Sequence, residues 1–273
     1  MNSIPFCKFH GFGNDYIVVE KANLPVDARL SELTIKMCHR NTGVGGDGIA
    51  LLEKLVDADA DYSCRIINPD GSEAGFSGNG TRCAVSYLYY KFLWSAKNLK
   101  LETKSGIKNY ELIEKTNTTY WFLAELGNPH SIEDLGKQIA GFSFENSVIS
   151  LDVGNPVCVI FVNDFDLDWR NIGNELESNT KVFPERTNVV FVKVIDRQNI
   201  DIRIWERGAG ETSSSGTCSI AAAVASAFTD RTSREVSVHA EGGTTEALWR
   251  DDDEMLITGR ADLAFSGKWM HEV

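Results

Sequence analysis

The sequence lacks any basic excess: among its 273 residues, 27 Lys and Arg stand against 39 Asp and Glu, a net charge of -12. A nonspecific nucleic-acid binder needs a basic footprint, so that class is excluded, whereas a small zwitterionic ligand in a locally positive site is not. Paired cysteines are lacking too. Cys7, Cys38, Cys64, Cys83, Cys158 and Cys218 are scattered, with no Cys-x-x-Cys and no close His/Cys cluster. That argues against a structural zinc site and points to a reducing compartment. The first residues, Met1 to Phe6, have neither the basic nor the apolar region of a signal peptide, and no apolar run approaches the roughly 20 residues that span a bilayer. No Gly-x-Gly-x-x-Gly with a later ribose-binding acid and no Gly-Lys-Ser/Thr phosphate loop stands in a suitable context. What remains is a globular, cytoplasmic protein with no metal site, membrane segment or nucleic-acid partner.

Within those bounds the chain alternates short strands with a few helices. Runs at 6–10, 16–20, 49–52, 62–67, 99–103 and 108–114 suit strands. A helix is expected over 25–41 from Leu30, Leu33 and Met37, and a second from Thr81 to about Trp94 from Ala84, Val85, Leu88, Phe92 and Leu93. Later strands are expected from about 120 onward, at 158–162, 188–194, 201–205, 235–239, 245–249 and 255–258. Helices are expected at 169–177 and 219–228. Few helices among many strands favour an α+β fold over a doubly wound one. The polar stretch 115–119 marks the expected boundary, giving an N-terminal domain over 1–118 and a C-terminal domain over 119–260.

An internal duplication is visible. Asn14 precedes Asn68 by 54 residues and Asn155 precedes Glu206 by 51; Ser77 follows Asn68, and Ser215 follows Glu206, by nine. Ser77-Gly78-Asn79-Gly80 and Ser215-Gly216-Thr217 each open a helix, and such a start exposes backbone N–H groups suited to an anion. By itself each serine is an ordinary helix cap. Two of them in repeated positions suggest one ligand gripped from both sides. Glu206 can accept from an ammonium group and Arg207 can offer a fork of donors to a carboxylate, a pair suited to an amino acid or, read locally, to a surface ion pair. Asn14, Asn68, Asn155 and Asn188 lie at strand ends, where an amide can orient a ligand or merely shape a turn.

The order of these landmarks is similar to that of the diaminopimelate epimerase family of cofactor-independent amino-acid racemases and epimerases. The matching segments are Lys8-Phe-His-Gly-Phe-Gly-Asn-Asp15, Gly43-Val-Gly-Gly-Asp-Gly48, Arg65-Ile-Ile-Asn-Pro-Asp-Gly-Ser-Glu73, Gly78-Asn-Gly-Thr-Arg82, Gly154-Asn-Pro156, Pro184-Glu-Arg-Thr-Asn188 and Glu206-Arg-Gly-Ala-Gly-Glu-Thr212. The resemblance implies two pseudo-symmetric barrel-like domains, each closed around a central helix, with the chain end, about 261–273, completing the first. It implies a small amino-acid substrate in an interdomain cleft, inversion at the α-carbon with neither pyridoxal phosphate nor metal, and a family that is often dimeric. Diaminopimelate, in lysine and cell-wall precursor synthesis, is the leading substrate.

In the family, one cysteine takes the α-proton and another returns one from the opposite face. Mapped through the motifs, those positions are Ser77 and Ser215, and Val157 stands where a histidine is common. The expectation is therefore an isomerase whose two-thiol chemistry was lost or altered by serine substitution, with Asn14, Asn68, Gly78, Asn79, Asn155, Asn188, Glu206, Arg207, Gly216 and Thr217 around the substrate. The alternative is a noncatalytic homologue that binds an amino acid or metabolite.

Overall fold

The computed structural model describes residues 2–271; Met1, Glu272 and Val273, at the ends of the expected first domain, lie outside the described residues. The chain forms two compact units, one over 1–124 with 259–273 and the other over 125–258.

The first unit runs β1 (Asn2–Gly11), β2 (Asn14–Glu20), α1 (Leu30–Cys38), β3 (Gly48–Lys54), β4 (Tyr62–Ile67), β5 (Glu73–Ala74), α2 (Gly78–Tyr90), β6 (Asn98–Thr103), β7 (Gly106–Thr116) and β8 (Thr119–Glu125). β1 and β2 pair antiparallel, β2 and β3 parallel, β3 and β4 antiparallel, β4 and β6 parallel, and β6 and β7 antiparallel. Strands buried on both faces read as near-continuous apolar runs, as Tyr16 to Val19 does. Ile17, Val19, Ile49 and Leu51 face one way, where Leu33, Met37 and Cys38 of α1 pack on them. On the other side lies α2, buried from Gly78 through Tyr89, so that even its polar residues Asn79, Thr81, Arg82 and Ser86 lie inside the core.

The second unit contains β9 (His130–Asp134), the two-residue strands β10 (Gln138–Ile139) and β11 (Phe142–Ser143), β12 (Val148–Asp152), β13 (Pro156–Phe161), α3 (Trp169–Glu177), β14 (Asn188–Val194), β15 (Asn199–Glu206), β16 (Gly210–Thr212), α4 (Gly216–Phe228), β17 (Glu235–Ala240) and β18 (Gly243–Trp249). Its pairings from β12 to β18 repeat the order of the first unit: antiparallel, parallel, antiparallel, parallel, antiparallel. α3 packs Trp169 and Leu176 on Cys158, Ile160, Val189 and Phe191. α4 is the counterpart of α2, buried from Gly216 through Ser226.

The last strand, β19 (Met255–His271), is continuous. It pairs antiparallel with β18 at its start and with β1 at its end, where the register shifts between Lys8 and Phe9.

Helix limits differ from the sequence expectation for local reasons. α1 starts at Leu30 rather than near Pro25, because Pro25 to Ala28 close a separate turn and Arg29 is extended. Its end is tight: Val44 and Gly45 N–H both donate to Met37 O, at 2.8 and 2.9 Å. A Cβ on Gly43 would fall 2.2 Å from Lys36 O, so the returning chain requires glycine there. α2 and α4 each begin three residues earlier than their apolar pattern, immediately after the capping serines. α2 also ends before Phe92, which is left-handed at φ 56 and 86% exposed.

Candidate active site

In the first unit the site is built around the start of α2. Ser77 is extended (φ -139, ψ 117) and its Oγ accepts from Gly80 N–H at 3.1 Å, the N-cap geometry that satisfies an otherwise orphaned donor. The same Oγ lies 2.9 Å from the phenol oxygen of Tyr16. Tyr16 reaches it because two glycines leave room: a Cβ on Gly48 or on Gly80 would each stand 2.9 Å from the tyrosine Cε1.

Next to the serine, two of the expected asparagines meet. Asn79 Nδ2 donates to Asn14 Oδ1 at 3.2 Å, and Asn14 Nδ2 donates to Asp47 Oδ2 at 2.8 Å. Behind Asn79, Arg82 Nη2 donates to its Oδ1. Asp47 belongs to an ionic network in which Arg40 bridges Asp47 and Asp15, at 2.7 and 2.9 Å, and Lys8 Nζ lies 2.7 Å from Asp15. Burial alone would raise the Asp15 carboxyl, but hydrogen bonds from Arg40 and Lys8 outweigh it and hold it at about 2. Burial pushes the Asp47 carboxyl up, and the Asp15 charge adds to this. Asn68 is not part of the group. Its Nδ2 donates to Ser72 Oγ at 3.0 Å and its N–H to Ser72 O at 2.8 Å, the structural use of a turn asparagine.

The second unit repeats the helix start with a different partner. Ser215 is extended (φ -147, ψ 123) and accepts from Cys218 N–H at 3.5 Å. Its hydroxyl donates to Glu206 Oε2 at 3.0 Å, while Thr212 donates to Oε1 of the same carboxylate at 2.8 Å. Thr217 Oγ1 lies 3.4 Å from Ser215 Oγ. Nearby, Asn188, 4% exposed, holds two segments together: its Oδ1 accepts from Arg207 N–H at 2.9 Å and its Nδ2 donates to Pro156 O at 3.3 Å. Asn155 follows Gly154, left-handed at φ 91, in the turn between β12 and β13. Arg207 sits in the β15–β16 turn, its Nη1 on Glu185 O at 2.8 Å. Glu211 instead forms an ion pair with Arg170 at 2.6 Å, so the Glu206-to-Glu211 motif is not one ionic cluster.

The residues that sequence reasoning passed over are Tyr16, Asp47, Arg82, Lys8, Asp15 and Arg40. All but Tyr16 and Arg40 lay inside matched segments, yet nothing in a linear motif says that Tyr16 and Ser77, 61 positions apart, share a hydrogen bond. Among the described residues no group of three or more His, Cys, Asp or Glu side chains could hold a metal ion, and no helix is long and apolar enough to cross a membrane.

A model of the family described as diaminopimelate epimerase matches residues 6–131 and 149–264. The chain belongs to the diaminopimelate epimerase family. It is 38% identical over 280 residues to the diaminopimelate epimerase of Pelotomaculum thermopropionicum, covering 97% of this chain and 98% of the relative. With that of Bacteroides thetaiotaomicron it shares 37% over 269 residues, 97% of each. Among solved structures, a hydroxyproline epimerase from Agrobacterium vitis superposes with a TM-score of 0.74 at 14% identity, covering 98% of this chain and 91% of that one. A methylitaconate-delta-isomerase does so with 0.66 at 13%, covering 98% and 96%. These two likenesses speak for the fold alone.

One expectation is corrected. Serines do stand at 77 and 215, but the conclusion that serine substitution had removed the family's thiol chemistry is withdrawn. Six free cysteines remain, all buried, and two belong to the helices of the expected site, Cys83 in α2 and Cys218 in α4. The near full-length match to diaminopimelate epimerases likewise gives no ground for setting the chain apart from the family. As for their state, burial pushes the Cys64 thiol up to about 12 and raises those of Cys83 and Cys218 well above the usual range.

Proposed function

We propose that this protein is an isomerase that inverts configuration at the α-carbon of an amino acid, with diaminopimelate as substrate, in lysine and cell-wall precursor synthesis. The observation that carries the reading is the repetition of a serine-capped, buried helix start in both units, each serine holding a second polar group, in a chain aligned end to end with diaminopimelate epimerases. Inversion needs one proton-handling group on each face of the α-carbon, and a twofold plan supplies one per repeat. On this reading each unit is a barrel-like sheet closed on its central helix, the two forming pseudo-symmetric copies of one plan.

The two starts are not equivalent in chemistry. Ser215 donates to the Glu206 carboxylate, a proton acceptor, whereas Ser77 meets the Tyr16 phenol. We assign Ser77 and Ser215 to the reacting faces. The helix-start N–H groups of Gly78, Asn79, Gly216 and Thr217 hold a substrate carboxylate, Glu206 its ammonium group, and Asn14, Asn68, Asn155, Asn188 and Arg207 the remaining polar contacts. For Asn68 the bond to Ser72 must give way before the amide serves a ligand. No cofactor enters the scheme. The six unpaired cysteines suit a reducing cytoplasm, and a homodimer is the assembly proposed.

The test is stereochemical turnover of LL- and meso-diaminopimelate together with α-deuterium incorporation in heavy water. Turnover with exchange, reduced at least about tenfold in Ser77→Ala and in Ser215→Ala, supports the assignment; that loss corresponds to roughly 1.4 kcal/mol of barrier. Turnover indifferent to both replacements would remove the serines from the reaction. Binding without exchange would identify a ligand-binding homologue instead.

A further inference from the structure

Arg82 is a cation in a place that supplies no anion for it. It is 1% exposed, and its Nε and Nη1 have no hydrogen-bond partner among the described residues. Burial pulls its pKa down, with no carboxylate among the groups that counter it. A buried charge without a partner is expensive, and an apolar side chain of similar volume would serve the core better. Yet the surroundings are built to admit it. A Cβ on Gly259 would stand 2.5 Å from Arg82 Nη1, and one on Gly11 would stand 2.8 Å from Asn79 Oδ1, so two strands approach the Arg82–Asn79 pair through glycine.

What the guanidinium does is visible along the chain of bonds that it begins. An amide has an acceptor end and a donor end, and only its partners fix which is which. Here both ends of the chain are unambiguous: Arg82 can only donate, and an ionised Asp47 can only accept. Arg82 takes the Asn79 oxygen, which leaves Asn79 Nδ2 to donate to Asn14 Oδ1 at 3.2 Å, and that leaves Asn14 Nδ2 to donate to Asp47 at 2.8 Å. Asn14 Nδ2 has a second N–H beyond that bond.

We propose that Arg82 is a positioning residue that, through Asn79, sets the orientation of the Asn14 amide and so directs an amide N–H of Asn14 at a carboxylate of the ligand. The inference rests on the reading of Asn14 as a substrate contact. It makes recognition of an anionic group a property of a residue that touches no ligand.

Asn79→Asp separates this role from simple support of the fold. The aspartate keeps an oxygen for Arg82 and gives it the missing countercharge, but it removes the donor to Asn14. The full chain is to be compared with the variant by thermal unfolding, by equilibrium dialysis with meso-diaminopimelate, and through the Asn14 side-chain amide signals in asparagine-labelled protein, assigned with Asn14→Ala. The expected result is an unchanged or higher Tm, displaced Asn14 amide signals, and binding weakened about tenfold, roughly 1.4 kcal/mol. Gly259→Ala crowds Nη1 without altering a bonded residue and should displace the same signals. Unmoved Asn14 signals in both variants, or a lowered Tm in Asn79→Asp, would overturn the proposal, as would displaced signals with unweakened binding. If the unaltered chain binds no diaminopimelate, the functional reading falls by itself, while the amide signals still decide the orientation claim.

Discussion

Replacing Asp15 by asparagine should destabilise the fold by about 2–3 kcal/mol at neutral pH. The side chain is 13% exposed, lies 2.7 Å from Lys8 Nζ, itself 12% exposed, and takes two further bonds from Arg40 at 2.9 and 3.1 Å. Holding the carboxyl at about 2 instead of the ordinary 3.8 corresponds to roughly 2.5 kcal/mol at about 1.4 kcal/mol per tenfold change in acidity. Asparagine can still accept from Asp47 N–H, which donates to Oδ1 at 3.0 Å, but its NH2 end would face a cation, and Lys8 would lose its charge partner in a half-dry site. The assay is urea unfolding at pH 7 with m-values compared, so that a shift in midpoint can be read as a change in stability. The sign with pH is fixed by linkage. A lowered carboxyl stabilises fully above its unfolded value near 4, and that stabilisation disappears as pH falls through about 2. The unaltered protein should therefore lose stability between about pH 4 and 2 more steeply than Asp15→Asn. A loss below about 0.5 kcal/mol at pH 7, or parallel acid profiles, would refute the reasoning.

Further outcomes follow from single contacts. Gly80→Ala, whose Cβ would stand 2.8 Å from Ile66 Cδ1 and 2.9 Å from the Tyr16 ring, should cost about 1–3 kcal/mol by overpacking and displace the phenol from Ser77, read by thermal unfolding and by tyrosine fluorescence. Asn188→Ala removes both the acceptor for Arg207 N–H and the donor to Pro156 O from a buried site, and should cost about 2–4 kcal/mol in chemical unfolding. Arg207→Ala should weaken diaminopimelate binding by about 1–3 kcal/mol in calorimetry if its guanidinium leaves Glu185 O for a substrate carboxylate; unchanged affinity would leave Arg207 as a loop tie. For Asp47, raised by burial, the linkage is opposite to that of Asp15: its protonation on acidification favours the folded state, so Asp47→Asn should improve stability near neutral pH relative to its effect at pH 3.

Much of the fold was legible because strand and helix leave different periods. α3 has the limits expected of it, and Tyr62–Ile67 and Asn188–Val194 are strands as expected. The misplaced ends have a common cause. α2 and α4 start on glycine and small polar residues that carry no periodic signal, and it is the serine cap, not the apolar face, that fixes their first turn. β9, β10 and β11 were passed over because two are only two residues long and His130–Asp134 is mostly exposed and polar. For the site, sequence could nominate residue types at strand ends, since asparagine there is informative. It could not tell the asparagines apart. Asn14 and Asn79 bond to one another, Asn68 closes its own turn, and Asn188 is buried as a tie between segments, differences that depend on partners far away in the chain.

The repeat explains both the likeness and the divergence of the two helix starts. Equivalent crossovers deliver equivalent backbone: an extended serine, a capped first turn, and a buried helix. Such a frame fixes where an anion can be held, because the first-turn N–H donors exist whatever the side chains are. What the frame leaves open is how the capping hydroxyl is held, and there the units part. Ser215 stands beside a carboxylate anchored by Thr212, while Ser77 stands beside a phenol wedged between glycines, with a buried arginine ordering the neighbouring amides. A carboxylate takes protons and a phenol gives them, so two helix starts alike in backbone differ in the acid–base character of the group beside the serine. On the proposed function unequal partners are no obstacle, because the equilibrium between the LL and meso epimers belongs to the substrate and not to the groups that pass the proton.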